Sequence, residues 1–181
     1  MIMVLIMRLI PYALSDVGRK RQHNEDSFLI ASGVGLFAVA DGMGGHRAGE
    51  KASRMAVDRL RDALVPPRKS ATRDEVLGHL QRAMFVTGAA IFDAAQSDPD
   101  LAGMGTTLTA MMLLNGHGFI AHVGDSRAYM IRGTEVRMLT EDHSVLNELK
   151  RRGKLRPELE DAAFALGEGE IGGGIGHGPN A

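Results

Sequence analysis

Three short clusters in this 181-residue chain carry side chains whose types and spacing could do chemistry. The first runs Gly18-Arg19-Lys20-Arg21-Gln22-His23-Asn24-Glu25-Asp26, two adjacent carboxylates behind a basic triplet. Taken alone it also reads as a charged loop making surface ion pairs of little energetic weight. The second, Ala38-Val39-Ala40-Asp41-Gly42-Met43-Gly44-Gly45-His46, is an apolar strand ending in an aspartate, then glycines, then a helix. Such a turn can present backbone N–H groups to a phosphate. Alternatively, Asp41 and the approachable Gly42 carbonyl can hold a hard divalent cation. An ordinary tight turn would use the same residues. Neither GxGxxG nor a Walker spacing is present, which demotes nucleotide cradling. The third, His122-Val123-Gly124-Asp125-Ser126-Arg127, lies between two predicted strands and also reads as a turn.

Together these clusters put Glu25, Asp26, Asp41 and Asp125 at strand ends or turns. Oxygen-only ligand sets select Mg2+ or Mn2+ over zinc. A pair of such ions can activate water and bind a phosphoryl group, an arginine neutralising the remaining charge. Arg21 is the best candidate, because a guanidinium is a better bidentate partner than an ammonium. A fourth stretch, Leu139-Thr140-Glu141-Asp142-His143-Ser144, reads as a strand end and a helix N-cap, where acidic groups are stabilising.

The elements that must position these residues follow from periodicity. A first strand is expected near Leu9–Val17, and short apolar runs at Ser27–Ala31 and Leu36–Ala40 flank Ser32-Gly33 turn chemistry. Ala52, Met55, Ala56, Leu60 and Leu64 recur at helical spacing until Pro66-Pro67. Thr72-Arg73-Asp74-Glu75 is a capping-box pattern opening a second helix, which Asp98-Pro99 ends. Thr106–Leu114 and Phe119–Val123 face each other across Asn115-Gly116, a hairpin signal. Ser126–Arg132 and Glu135–Leu139 flank Gly133-Thr134, a second hairpin, and a polar helix is expected from Glu141 to about Arg152. Strands, two helices, then strands indicate α+β rather than a parallel βαβ fold.

Composition narrows the function classes. A chain of this length buries roughly 70% of its unfolded surface and supports an ordinary core. With 44% hydrophobic and 24% charged residues and a net charge of −1, it is neither mainly disordered nor globally suited to nucleic acid or acidic membranes. Aromatics at 4% argue against stacking on single strands. Residues 51–82 carry eight Lys/Arg against four Asp/Glu, which reads as solvated helix faces. No cysteine is present, so there is no disulfide framework or thiolate chemistry. The apolar residues 1–7 form an N-terminal extension (residues 1–8) too short to span a bilayer, and no positive region precedes them. A cytoplasmic protein is expected. Seven of the last fifteen residues are glycine, so 162–181 reads as a flexible tail.

The motifs then become specific in combination. Gly18-x-x-Arg21-x-x-Asn24-Glu25-Asp26, Val39-Ala40-Asp41-Gly42-Met43-Gly44-Gly45, Gly103-Met104-Gly105-Thr106-Thr107, Val123-Gly124-Asp125-Ser126-Arg127 and Leu139-Thr140-x-Asp142-His143-Ser144 occur in this order. The chain resembles the bacterial form of the metal-dependent serine/threonine protein phosphatases, the PPM or type 2C family, over about residues 9–161. The resemblance implies two stacked antiparallel sheets flanked by helices, a four-layer αββα sandwich, with a metal cleft at one end. Position by position, it implies that Asp41 bridges two Mn2+ or Mg2+ ions, with Glu25 and the Gly42 carbonyl completing one. It further implies that Asp26 acts through water, Arg21 holds the substrate phosphate and Asp125 belongs to a third, weaker site. The implied reaction is direct attack of metal-activated water on phosphoserine or phosphothreonine of a phosphorylated protein. Met43 stands where some members carry a histidine proposed as general acid.

One departure qualifies this. The family has two further aspartates in its C-terminal third, in Asp-Gly and Asp-Asn motifs, whereas no aspartate follows Asp161 here. The expectation is a domain truncated at its C-terminal end, with impaired metal binding and weak or absent turnover. The rival from another class is a non-catalytic phosphatase-like module that binds a partner. A nucleotide-binding domain built on Asp41–Gly45 ranks third.

Overall fold

The computed structural model describes residues 8–44 and 47–143. Gly45, His46, residues 144–152 of the helix expected at 141–152, the tail at 162–181 and nearly all of the N-terminal extension lie outside the described residues; residues 141–143 are described and are not helical.

The main sheet is antiparallel, with strands β1 (Asp26–Ala31), β2 (Leu36–Met43), β3 (Gly105–Thr106), β4 (Leu108–Leu114) and β5 (His117–Val123). Its order is β1-β2-β4-β5, with β3 continuing beside the end of β2. A second, two-stranded sheet pairs β6 (Tyr129–Arg132) with β7 (Glu135–Met138). Helices α1 (Ala48–Ala63) and α2 (Arg73–Ser97) connect β2 to β3. The architecture is therefore α+β, antiparallel sheets with flanking helices, as the element order predicts.

Alternation along β2 explains the layering. Leu36, Ala38, Ala40 and Gly42 are buried toward the helices, while Phe37, Val39, Asp41 and Met43 point to the other face. Ala52 and Ala56 of α1 are buried in the same core as Ala38 and Ala40. Small residues on both sides let the helix approach the sheet closely. Leu60, Leu80, Ile91, Leu108 and Met112 fill the rest of this core. Burial of each such side chain contributes about 1.5–3 kcal/mol.

Local chemistry sets the element ends. The capping box forms as predicted: Thr72 Oγ1 accepts from the Glu75 N–H, and Glu75 Oε2 accepts from the Thr72 N–H at 2.7 Å. The Glu75 carboxyl is held below the ordinary range by these Thr72 bonds. Asn115 and Gly116 take φ of 51° and 77°, the left-handed pair that a tight hairpin requires. Exposed pairs Arg54–Asp58 and Arg61–Asp58 along α1 agree with a solvated charged face.

The strand expected at Leu9–Val17 does not form. Ile10, Tyr12 and Leu14 are exposed at 65%, 95% and 93%, and the segment pairs with no described strand. Pro11 lacks an N–H for a ladder, and alternation without a partner edge cannot make a strand. β6 begins at Tyr129 rather than Ser126, because Ser126 and Arg127 are drawn into side-chain hydrogen bonds described below.

Thr87 of α2 is fully buried and its hydroxyl has no hydrogen-bond partner among the described residues. An unpaired buried hydroxyl costs about 1–3 kcal/mol. Thr87→Val should therefore raise the urea midpoint, with a gain of about 1 kcal/mol. An unchanged or lower midpoint would show that the hydroxyl is satisfied.

Candidate functional site

The acidic residues assemble at one end of the main sheet. Asp26 opens β1 rather than following a strand, and it pairs across the ladder with Asp41 of β2. The Asp26 N–H donates to Asn24 Oδ1 at 3.0 Å, and Asn24 Nδ2 donates to Ser15 Oγ at 2.7 Å. These bonds fix the turn into β1. Residues paired across an antiparallel ladder project on the same face, so the two carboxylates meet. Burial pushes the Asp41 carboxyl up, with the neighbouring Asp26 adding to the rise. Arg21 pulls in the opposite direction, and Asp125 raises it further. Asp41 is thus the centre of a negative cluster that includes Asp26 and Asp125 and has one guanidinium near it.

Glu25 and Arg21 are disposed differently. Arg21 Nη1 lies 3.4 Å from Glu25 Oε2 in a partly exposed pair. A Cβ on Gly49, in the first turn of α1, would overlap Glu25 Oε1. The electropositive start of this helix therefore faces a carboxylate of the chain itself. The Gly42 N–H donates to the Glu25 carbonyl at 3.0 Å, and a Cβ on Gly42 would overlap the Gly49 carbonyl. Two glycines thus allow the site loop, β2 and α1 to meet at backbone distance.

The main chain of Asp41 is held from β3 and β4. Its carbonyl accepts from the Thr107 N–H and from Thr106 Oγ1, each at 2.9 Å. Its N–H donates to Thr107 Oγ1 at 2.9 Å.

The turn bearing Asp125 is anchored from several sides. Arg127 Nε lies 2.9 and 3.0 Å from the two Asp142 carboxylate oxygens. That contact depresses the Asp142 carboxyl and raises the Arg127 guanidinium further. The Asp142 side chain is nearly buried, and beside it the His143 N–H donates to the Gly124 carbonyl at 2.8 Å. Sequence reasoning misses the Arg127 pairing and reads Asp142 as a cap; the helix it would cap lies outside the described residues. The two residues are fifteen positions apart with no periodic relation, so no local signal marks the contact. His122 Nδ1 lies 2.8 Å from Thr109 Oγ1, and its ring is 5.1 Å from that of His143. Burial holds His122 below the ordinary histidine value, His143 adding to this.

The site therefore brings Asp26 and Asp41 together with Arg21 and Asp125 in electrostatic range, while Glu25 turns toward Arg21 and Gly49. Among the described residues no three His, Asp or Glu side chains close around a single point. The donors are all oxygens, and the Asp41 carboxyl is raised first by partial burial and then by the neighbouring carboxylates, with Arg21 opposing. That chemistry fits a hard divalent cation. No helix among the described residues is long and apolar enough to cross a membrane.

Comparison with known proteins agrees with this architecture. The family model described as Protein phosphatase 2C matches residues 18–151. The serine/threonine phosphatase stp of Listeria innocua is 44% identical over 147 residues, covering 80% of this chain and 58% of that protein. The chain thus spans less than two thirds of that curated relative. The crystal structure of the Mycobacterium tuberculosis serine/threonine phosphatase PstP/Ppp aligns with TM-score 0.73 and 34% identity, covering 91% of this chain and 67% of that one. The catalytic domain of PstP in complex with two manganese ions aligns with TM-score 0.65 and 36% identity, covering 81% of this chain and 61% of that one. Motif order, sheet topology and the acidic cluster at the end of β2 converge with these similarities: the chain belongs to the protein phosphatase 2C family.

Proposed function

We infer that this chain carries the acidic and phosphate-facing part of a metal-dependent phosphoprotein phosphatase acting on phosphoserine and phosphothreonine. The observation that carries the reading is the Asp26–Asp41 pair, registered across β1 and β2 with Arg21 beside it. In this reading Asp41, Asp26, Glu25, the Gly42 carbonyl and Asp125 would hold Mn2+ or Mg2+. Bound divalent cations supply a Lewis acid that lowers the pKa of water and neutralises phosphoryl charge.

The chain's own residues do the rest. Arg21 is more than half exposed, and among the described residues it makes a partly exposed ion pair with Glu25. Such a pair is worth little, so the guanidinium is free to turn to a phosphate in a bidentate contact. Asp41 lies in a setting that disfavours its charge, so cation binding there relieves an existing cost. The rigid ladder beneath it keeps the carboxylate aimed without reorganisation. Phosphorylated proteins in the cytoplasm follow as the partners of this reading.

The test is phosphate release from a phosphothreonine peptide by the 181-residue chain, with and without Mn2+. The expected result is weak release that requires Mn2+ and stops on adding a chelator. Phosphopeptide binding without Mn2+ binding or release would establish the non-catalytic module instead.

A further inference from the structure

One side chain stands between the two acidic positions of the site. Val39 faces Thr109 and Gly42 faces Thr106, so the register sets Asp41 opposite Thr107. Regular antiparallel pairing would send the Asp41 N–H to the Thr107 carbonyl. It goes to the Thr107 hydroxyl instead, at 2.9 Å, and the ladder is interrupted at this residue between β3 and β4. The same Oγ1 lies 2.7 Å from Ser126 Oγ. A hydroxyl has one donor and two acceptor sites, so it satisfies both contacts at once.

A separate observation places the Asp125 turn on the same residue. Gly124 has φ of +104°, and a Cβ there would lie 2.6 Å from Thr107 Cγ2 and 2.7 Å from Thr107 Cβ. The turn backbone therefore rests on the Thr107 side chain, and only glycine permits it. Thr109 Oγ1 donates to the Ser126 carbonyl at 3.1 Å and pins the far side of the turn.

We propose that Thr107 is a positioning residue that ties the main chain of Asp41 to the Gly124–Ser126 turn, fixing Asp41 and Asp125 relative to each other for divalent-cation binding. This rests on the proposed function. Its methyl carries the turn, and its hydroxyl joins strand to turn. A β-branched residue without the hydroxyl keeps the packing and loses the tie. Serine keeps the tie and loses only the methyl.

The experiment compares wild type, Thr107→Val, Thr107→Ser and Ser126→Ala by Mn2+ titration followed by electron paramagnetic resonance, and by amide exchange at Asp41 in the metal-free chain. Thr107→Val should weaken Mn2+ binding about tenfold, the lower end of what outer hydrogen-bond partners of metal ligands contribute. It should also expose the Asp41 amide to exchange. Thr107→Ser should stay within about threefold of wild type. Ser126→Ala leaves the Asp41 bond in place, so it should weaken Mn2+ binding while the Asp41 amide stays protected. If Thr107→Val fails to fold, Ser126→Ala against Thr107→Ser decides the point. Mn2+ affinity unchanged in both Thr107→Val and Ser126→Ala overturns the coupling alone. Absence of Mn2+ binding by the wild-type chain overturns the proposed function and the coupling with it.

Discussion

Replacing Asp41 by asparagine is expected to abolish Mn2+-dependent phosphate release and, in the same molecule, to stabilise the metal-free fold at neutral pH. The first effect follows from losing the central carboxylate. It should exceed the roughly 10–100-fold that outer-shell partners of a metal site cost when removed. The second effect follows from the direction of the Asp41 shift. Its carboxyl is raised above the unfolded value by burial and then by Asp26. A raised carboxyl favours the protonated form in the fold. Below the unfolded value of 3.8 the group is protonated in both states and imposes no penalty. The penalty grows as pH rises from there through the folded value, and is complete above it. The substituting asparagine carries no charge and escapes it. Thermal melts of the chelator-treated protein should therefore show Asp41→Asn above wild type at pH 7, the gap closing near pH 3. A variant that melts lower at pH 7 would contradict the electrostatic account of the cluster. Retained Mn2+-dependent turnover would contradict the assignment of Asp41.

Gly42→Ala should be the most destabilising single-methyl insertion near the site. The added Cβ would overlap the Gly49 carbonyl of α1 and approach the Glu25 carbonyl at 2.9 Å. Both obstacles are backbone, so no side chain can rotate away. Overpacking of this kind costs about 3 kcal/mol, a Tm fall on the order of 10 °C for a chain of this size. Gly33→Ala is the internal control, since nothing lies within 4 Å of a Cβ there. If Gly42→Ala melted with Gly33→Ala, the close approach of β2, α1 and the Glu25 segment would be refuted.

These two predictions differ in what makes them foreseeable. Asp41 is legible because an apolar strand running into Asp-Gly is a local pattern, and its neighbours in motif order are equally local. The capping box at Thr72 and the Asn115-Gly116 hairpin are legible for the same reason, since their partners lie within a few residues. The apolar segment 9–17 misleads, because strand formation needs an edge that sequence does not name. Glu25 takes its expected ligand role from motif position, and the fold sets its carboxylate beside Gly49 and Arg21. Nothing in the spacing of residues 25 and 49 announces that contact.

By itself, the sequence determined most of the described element types, the α+β class, the family resemblance and the identities of the acidic residues. All of these are encoded in local runs of residues or in the order of such runs along the chain. Only the tertiary structure decided which groups meet. Asp26 stands opposite Asp41 because of a register between separate strands. The Asp41 N–H reaches Thr107, sixty-six residues on, because β3 and β4 return beside β2. Arg127 finds Asp142 across the second hairpin. Such contacts depend on chain closure and the fit of distant surfaces, which hydrophobic periodicity does not specify. The donors of the site were visible one by one, but their common charge and mutual support arise from packing.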